Sequence, residues 1–71
     1  MTKLGLFLSQ RAINRAAVSR KTGIRTNRLN ELSNNADAKL RADELYLIAR
    51  AISVNPCELL EFVCGGVEMM G

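Results

Sequence analysis

The sequence predicts an all-α fold, a compact bundle of five short helices, and three observations predict it. Apolar residues recur every three or four positions, and the alternation of a half-buried strand is absent. Helix starters such as Thr2, Asn14 and Asn55 precede the apolar stretches, and Gly23, Asn34-Asn35 and Gly65-Gly66 close them. At 71 residues, 48% of them apolar, the chain suits one small globular domain and leaves no room for a deep cleft beside its core.

The first helix is expected from about Thr2 to Gln10, with Leu4, Phe7 and Leu8 on one face. Gly5 weakens it by roughly 1 kcal/mol relative to alanine, so this helix depends on packing. The second, Arg15 to Thr22, has Asn14 as its N-cap, Ala17 and Val18 as its apolar face and Gly23 as a left-handed stop. The third, Thr26 to Asn34, turns Leu29 and Leu32 inward, and Asn34-Asn35 is expected to end it in a left-handed conformation. Residues 36–40 form a loop anchored by Leu40. The fourth helix, about Ala42 to Ser53, carries the stripe Leu45, Ile48, Ala49 and Ile52, widened by Tyr46 and Leu47. Asn55-Pro56-Cys57-Glu58 opens the fifth as a capped start with Glu58 reaching back, and Leu59, Leu60, Phe62 and Val63 supply its apolar face. Residues 1–64 are thus the expected domain, and residues 65–71 a tail.

Charge is segregated along the chain. Residues 1–30 hold seven bases and no acid, hence +7; the remainder holds three bases and seven acids, hence −4. A basic half of this kind faces polyanions. It surrounds two short helices joined by the tight turn Gly23-Ile24-Arg25, the arrangement of a helix-turn-helix. In that arrangement the second helix presents polar side chains to base edges in the major groove. The candidates for base contact are Thr26, Asn27, Arg28 and Glu31. Arginine pairs with guanine and asparagine with adenine through two bonds each, and threonine meets a thymine methyl or a phosphate. Glu31 accepts from a cytosine amino group or else orients Arg28 or Asn27. Asn14 and Arg15, at the start of the second helix, are candidate phosphate contacts, as are Arg25 and Lys39.

The stretch from Asn14 to Asn35 resembles the phage-repressor-type, Cro-like helix-turn-helix family of transcriptional regulators. It has Val18-Ser19, Gly23, Ile24 and Leu29-x-x-Leu32 at the family's places, and Leu45 to Leu60 resembles the family's last two helices. The resemblance covers residues 4–63. It implies a five-helix lambda-repressor-like domain that binds double-stranded operator DNA as a homodimer, as a repressor or an antitoxin-like autoregulator. The sequence departs from many relatives in having Arg15 for a glutamine and Arg25 for a small cap. Leu8 and Ser33 stand where those relatives pair an arginine with a glutamate, so both partners are lost together and no charge is orphaned.

Other classes fit less well. With no histidine and two cysteines, Cys57 and Cys64, a four-ligand zinc site is excluded, and two cysteines seven residues apart on one helix are too far apart for a disulfide. No cofactor motif, acid–base pair or phosphate loop points to an enzyme or a small-molecule substrate. None of the three aromatic residues is placed on the basic face to stack RNA bases. Without a membrane-length apolar run or a secretory leader, the expected location is cytoplasmic. The competing reading is a protein-interaction module on the same fold, with the fifth helix and the Met69-Met70 tail as its surface; these are also the expected dimer surface.

Overall fold

The computed structural model describes residues 1–69. Five α-helices are present, α1 (Lys3–Gln10), α2 (Arg15–Thr22), α3 (Thr26–Asn34), α4 (Ala42–Ala51) and α5 (Pro56–Cys64), with no strand among the described residues. None of these helices is long and apolar enough to cross a membrane.

The helix starts follow from local side-chain chemistry. Thr2 accepts from the Gly5 N–H at 3.1 Å, Asn14 from Ala17 at 3.2 Å and Asn55 from Cys57 at 2.8 Å, each satisfying a donor that the first turn leaves open. Arg25 gives α3 no side-chain cap. Glu58 does not turn back onto Asn55; its carboxylate faces Arg11 at 3.7 Å. The reciprocal contact occurs instead at α4, where the Arg41 N–H donates to Glu44 Oε1 at 3.0 Å.

Helices α1, α2, α3 and α5 end where the sequence predicts and α4 does not, while the conformations at the ends vary. Gly23 is left-handed, with φ of 80°, and its N–H donates to the Ser19 carbonyl. Asn35 is extended rather than left-handed, because its side chain accepts from the Asp37 N–H at 2.9 Å and draws the chain into the following turn. The left-handed non-glycine residues are instead Ala12 and Ser53, with φ of 53° and 59°. Ser53 lies outside α4, which stops at Ala51, two residues short of the expected end. Gly65 closes α5 in a right-handed conformation.

The core unites Leu4, Phe7 and Leu8 of α1, Val18 of α2, Leu29 and Leu32 of α3, Leu45, Ile48 and Ala49 of α4, and Leu59 of α5, with Val54 from the last turn. Ile13, Ile24, Leu40, Ile52 and Val63 pack around it. Tyr46 and Leu47 do not widen the α4 stripe as expected, and Leu60 and Phe62 do not join the core; all four are exposed. Like every helix here, each of their helices packs on two others, α4 on α2 and α5, and α5 on α1 and α4, and the rest of its surface faces outward. The Phe62 ring still meets Phe7 edge-on at 5.1 Å.

The N-terminus is stitched to the end of α3. The Thr2 hydroxyl donates to the Leu32 carbonyl at 2.7 Å, and the Thr2 N–H to the Ser33 carbonyl at 2.8 Å. One residue therefore caps α1 and satisfies two carbonyls at the C-terminus of α3. This clamp, together with Leu29 and Leu32, fixes the back of α3 and leaves its other face outward.

Candidate nucleic-acid interface

The α2–α3 unit is set by its turn. The Thr22 hydroxyl donates to the Val18 carbonyl at 2.7 Å and accepts from the Ile24 N–H at 3.1 Å, while Gly23 supplies the left-handed step between them. Ile24, half-buried, points the turn at the core. The chain then enters α3 with Arg25, Thr26 and Asn27 exposed in sequence at its N-terminal end. This end carries the partial positive charge of the helix dipole and its unpaired N–H groups.

Behind this tip, Asn30 and Glu31 are exposed and Arg28 is half-buried. Asn30 was not singled out from the sequence. Its Oδ1 accepts from Arg15 Nη1 at 3.2 Å, so α2 and α3 share a polar contact beside the tip. The two residues are fifteen apart in the chain, and no local pattern announces the pair.

Arg28 departs from the expectation of a free base reader. Its Nε donates to Glu44 Oε2 at 2.9 Å and its Nη2 to Glu44 Oε1 at 3.0 Å, a two-pronged ion pair. The same Nη2 donates to the Lys39 carbonyl at 2.8 Å, and Nη1 pairs with Glu31. Only one of the five guanidinium N–H donors is left over. In the unbound chain Glu31 is thus paired with Arg28. Glu44, 8% exposed, is the buried member of the cluster. The Arg28 hydrogen bond holds its carboxyl below the ordinary value; burial opposes this and the Arg41 N–H assists. The bonds from Glu44 and Glu31 raise the Arg28 guanidinium in turn. The sequence marks Glu44 only as half of an acidic pair, Asp43-Glu44, at a helix start.

The basic residues divide between pairing and exposure. Among the described residues, Arg11 pairs with Glu58, Arg28 with Glu31 and Glu44, and Arg41 with Asp43. Arg15, Arg20, Lys21, Arg25 and Lys39 join no ion pair, and all but the half-buried Arg15 are exposed. Asn14 uses its Oδ1 as the α2 cap, which leaves its amide N–H groups as donors. No group of three or more His, Cys, Asp or Glu residues that could hold a metal occurs among the described residues, and Cys57 and Cys64 are free and exposed.

A family model described as Cro/C1-type HTH DNA-binding domain matches residues 3–65, nearly the whole chain. No curated protein and no solved structure matches it.

Proposed function

Because the chain belongs to the Cro/C1-type helix-turn-helix DNA-binding domain family, we propose that it is a sequence-specific transcriptional regulator, a repressor or antitoxin-like autoregulator, acting in the cytoplasm. It inserts α3 into the major groove of double-stranded DNA. The observation that carries this reading is the exposed tip Arg25-Thr26-Asn27, which follows the left-handed Gly23 and is flanked by unpaired bases. Thr26 and Asn27 read base edges there, with Glu31 beside them on the same helix. Asn14, Arg15, Arg25 and Lys39 contact phosphates and fix the register.

The same reading includes a homodimer. One recognition helix covers too few base pairs for useful specificity, and two-fold operators pair two of them. Exposed Leu60, Phe62, Val67 and Met69 form the surface for this contact; Met70, expected to share it, lies outside the described residues.

Selection of bound duplexes from a random pool tests the reading. The expected result is an enriched, inverted-repeat motif, whose preference at one or two positions relaxes in Asn27→Ala. Arg25→Ala is expected to weaken binding to all duplexes alike. Absence of any retardation of random duplex at low salt would instead favour protein docking on this fold.

A further inference from the structure

We propose that Arg28 is a positioning residue: through Glu44 and the Lys39 carbonyl it clips the 35–41 loop to α3, which sets where Lys39 meets the DNA backbone, and it reads no base itself. The inference rests on the DNA reading above and assigns Arg28 a role within it.

The first support is donor arithmetic. Guanine recognition by arginine needs two parallel N–H donors, and the paired prongs of Arg28 already lie on Glu44 at 2.9 and 3.0 Å. Turning them to a base would take both prongs from the carboxylate of Glu44, whose side chain is only 10% exposed. An unpaired buried charge is among the costlier defects a small domain can carry.

The second support is topological. Backbone packing joins α1 to α3 and α5, α2 to α3 and α4, and α4 to α5, but does not join α3 to α4. The Arg28–Glu44 pair spans that gap. Glu44 also accepts the Arg41 N–H at 3.0 Å, so the same carboxylate fixes the point where the loop ends and α4 begins.

The third support is the loop itself. Its own backbone bond is Ala38 N–H to the Asn35 carbonyl at 3.1 Å, and Ala38 and Leu40 pack against the core. Between them Lys39 is exposed, and its carbonyl is held by Arg28 at 2.8 Å. A residue whose backbone is tied to the recognition helix keeps its charge in register with that helix. Releasing the tie costs phosphate contact without altering the groups that face the bases.

The test compares Arg28→Gln and Glu44→Gln on duplexes enriched by the wild-type chain and on random duplex, after circular dichroism has shown each variant folded. Both are expected to bind every duplex ~5–10-fold more weakly, with base preference unchanged and the log–log salt slope smaller by about one. Lys39→Ala should weaken wild-type binding but add nothing in the Glu44→Gln background, a coupling that a general loss of stability would not produce. In the free protein, the Arg28 Nε–H should exchange slowly with solvent, and fast in Glu44→Gln. If Arg28→Gln relaxes preference at one base while Glu44→Gln binds as tightly as wild type with the same slope, Arg28 is a reader and the inference is overturned. Additive losses from Lys39→Ala and Glu44→Gln overturn it too. A wild-type chain that retards no duplex overturns the DNA reading and the inference together.

Discussion

Gly5 and Ser33 meet where α1 crosses the end of α3. Ser33 is fully buried, its hydroxyl donating to the Leu29 carbonyl at 2.7 Å. A Cβ on Gly5 would fall inside the contact distance of the Ser33 carbonyl oxygen, a backbone atom that cannot swing aside. That oxygen is also the acceptor for the Thr2 N–H. In the sequence Gly5 reads as a weakness within a helix. In the structure it is the residue that lets α1 approach α3 beside the buried Leu8 and Ser33. Two effects of opposite sign act on Gly5→Ala. Helix propensity favours alanine by roughly 1 kcal/mol, whereas overpacking against backbone costs about 1–3 kcal/mol and the Thr2 clamp loosens. The expected net result is destabilisation, read as a lower urea midpoint at unchanged m-value. A midpoint equal to or above wild type would mean that α1 can shift without loss.

At the scale of elements, the α3–α4 junction depends on an ion pair with a definite pH signature. The Glu44 carboxyl titrates below its ordinary value of 4.5 in the folded chain. The unfolded chain therefore takes up a proton first as pH falls. The stabilisation from this group is complete above the unfolded value near 4.5 and is lost as pH drops through the folded value. The groups that face Glu44 are Arg28, the Arg41 N–H and the Asp43 carboxylate, which accepts the Glu44 N–H at 3.0 Å. Arg28, its guanidinium raised further by these bonds, stays charged throughout, so this pH dependence belongs to Glu44. Glu44→Gln should lower the thermal midpoint at pH 7, by an amount set by roughly 1–2 kcal/mol, and flatten its decline as pH falls below the unfolded value of 4.5. Parallel acid limbs for the two proteins would show that Glu44 is not held by Arg28. This junction also marks what the sequence left hidden. Helix starts at Thr2, Asn14 and Asn55, and the turn at Gly23, were legible because a cap or a left-handed glycine acts within three or four residues. The outward tip of α3 was legible because Leu29 and Leu32 fix its opposite face. The Arg28–Glu44 brace, the Arg15–Asn30 contact and the Thr2 clamp join residues fifteen to thirty apart, and no periodicity encodes them. Ala12 and Ser53 take left-handed conformations against their own preference, and no local glycine or asparagine signal marks them.

Across the whole molecule, the segregation of charge becomes a count of chains on the DNA. The acids of the C-terminal half partly neutralise bases of the first half, Glu58 on Arg11 and Glu31 and Glu44 on Arg28. Three charged residues of the proposed phosphate set, Arg15, Arg25 and Lys39, are in no ion pair among the described residues. Three neutralised phosphates per chain give a log–log salt slope of about −2.7 for one chain and about −5.4 for two. Between 50 and 200 mM salt, affinity should then fall ~40-fold for a monomer and ~2,000-fold for a dimer. The slope is therefore sensitive to α5, which touches no DNA in the proposed pose. Leu60 is 48% exposed and makes no part of the core, so Leu60→Glu should leave the fold intact while placing a carboxylate on the proposed dimer surface. A charge there is desolvated on association, and its like-charged copy faces it across a two-fold axis. The expected outcome is a monomer by sedimentation, weaker binding, and a slope near the single-chain value. A slope unchanged from wild type in a variant that still sediments as wild type does would move the interface away from α5. A wild-type slope already at the single-chain value would show that one α3 reads the DNA alone.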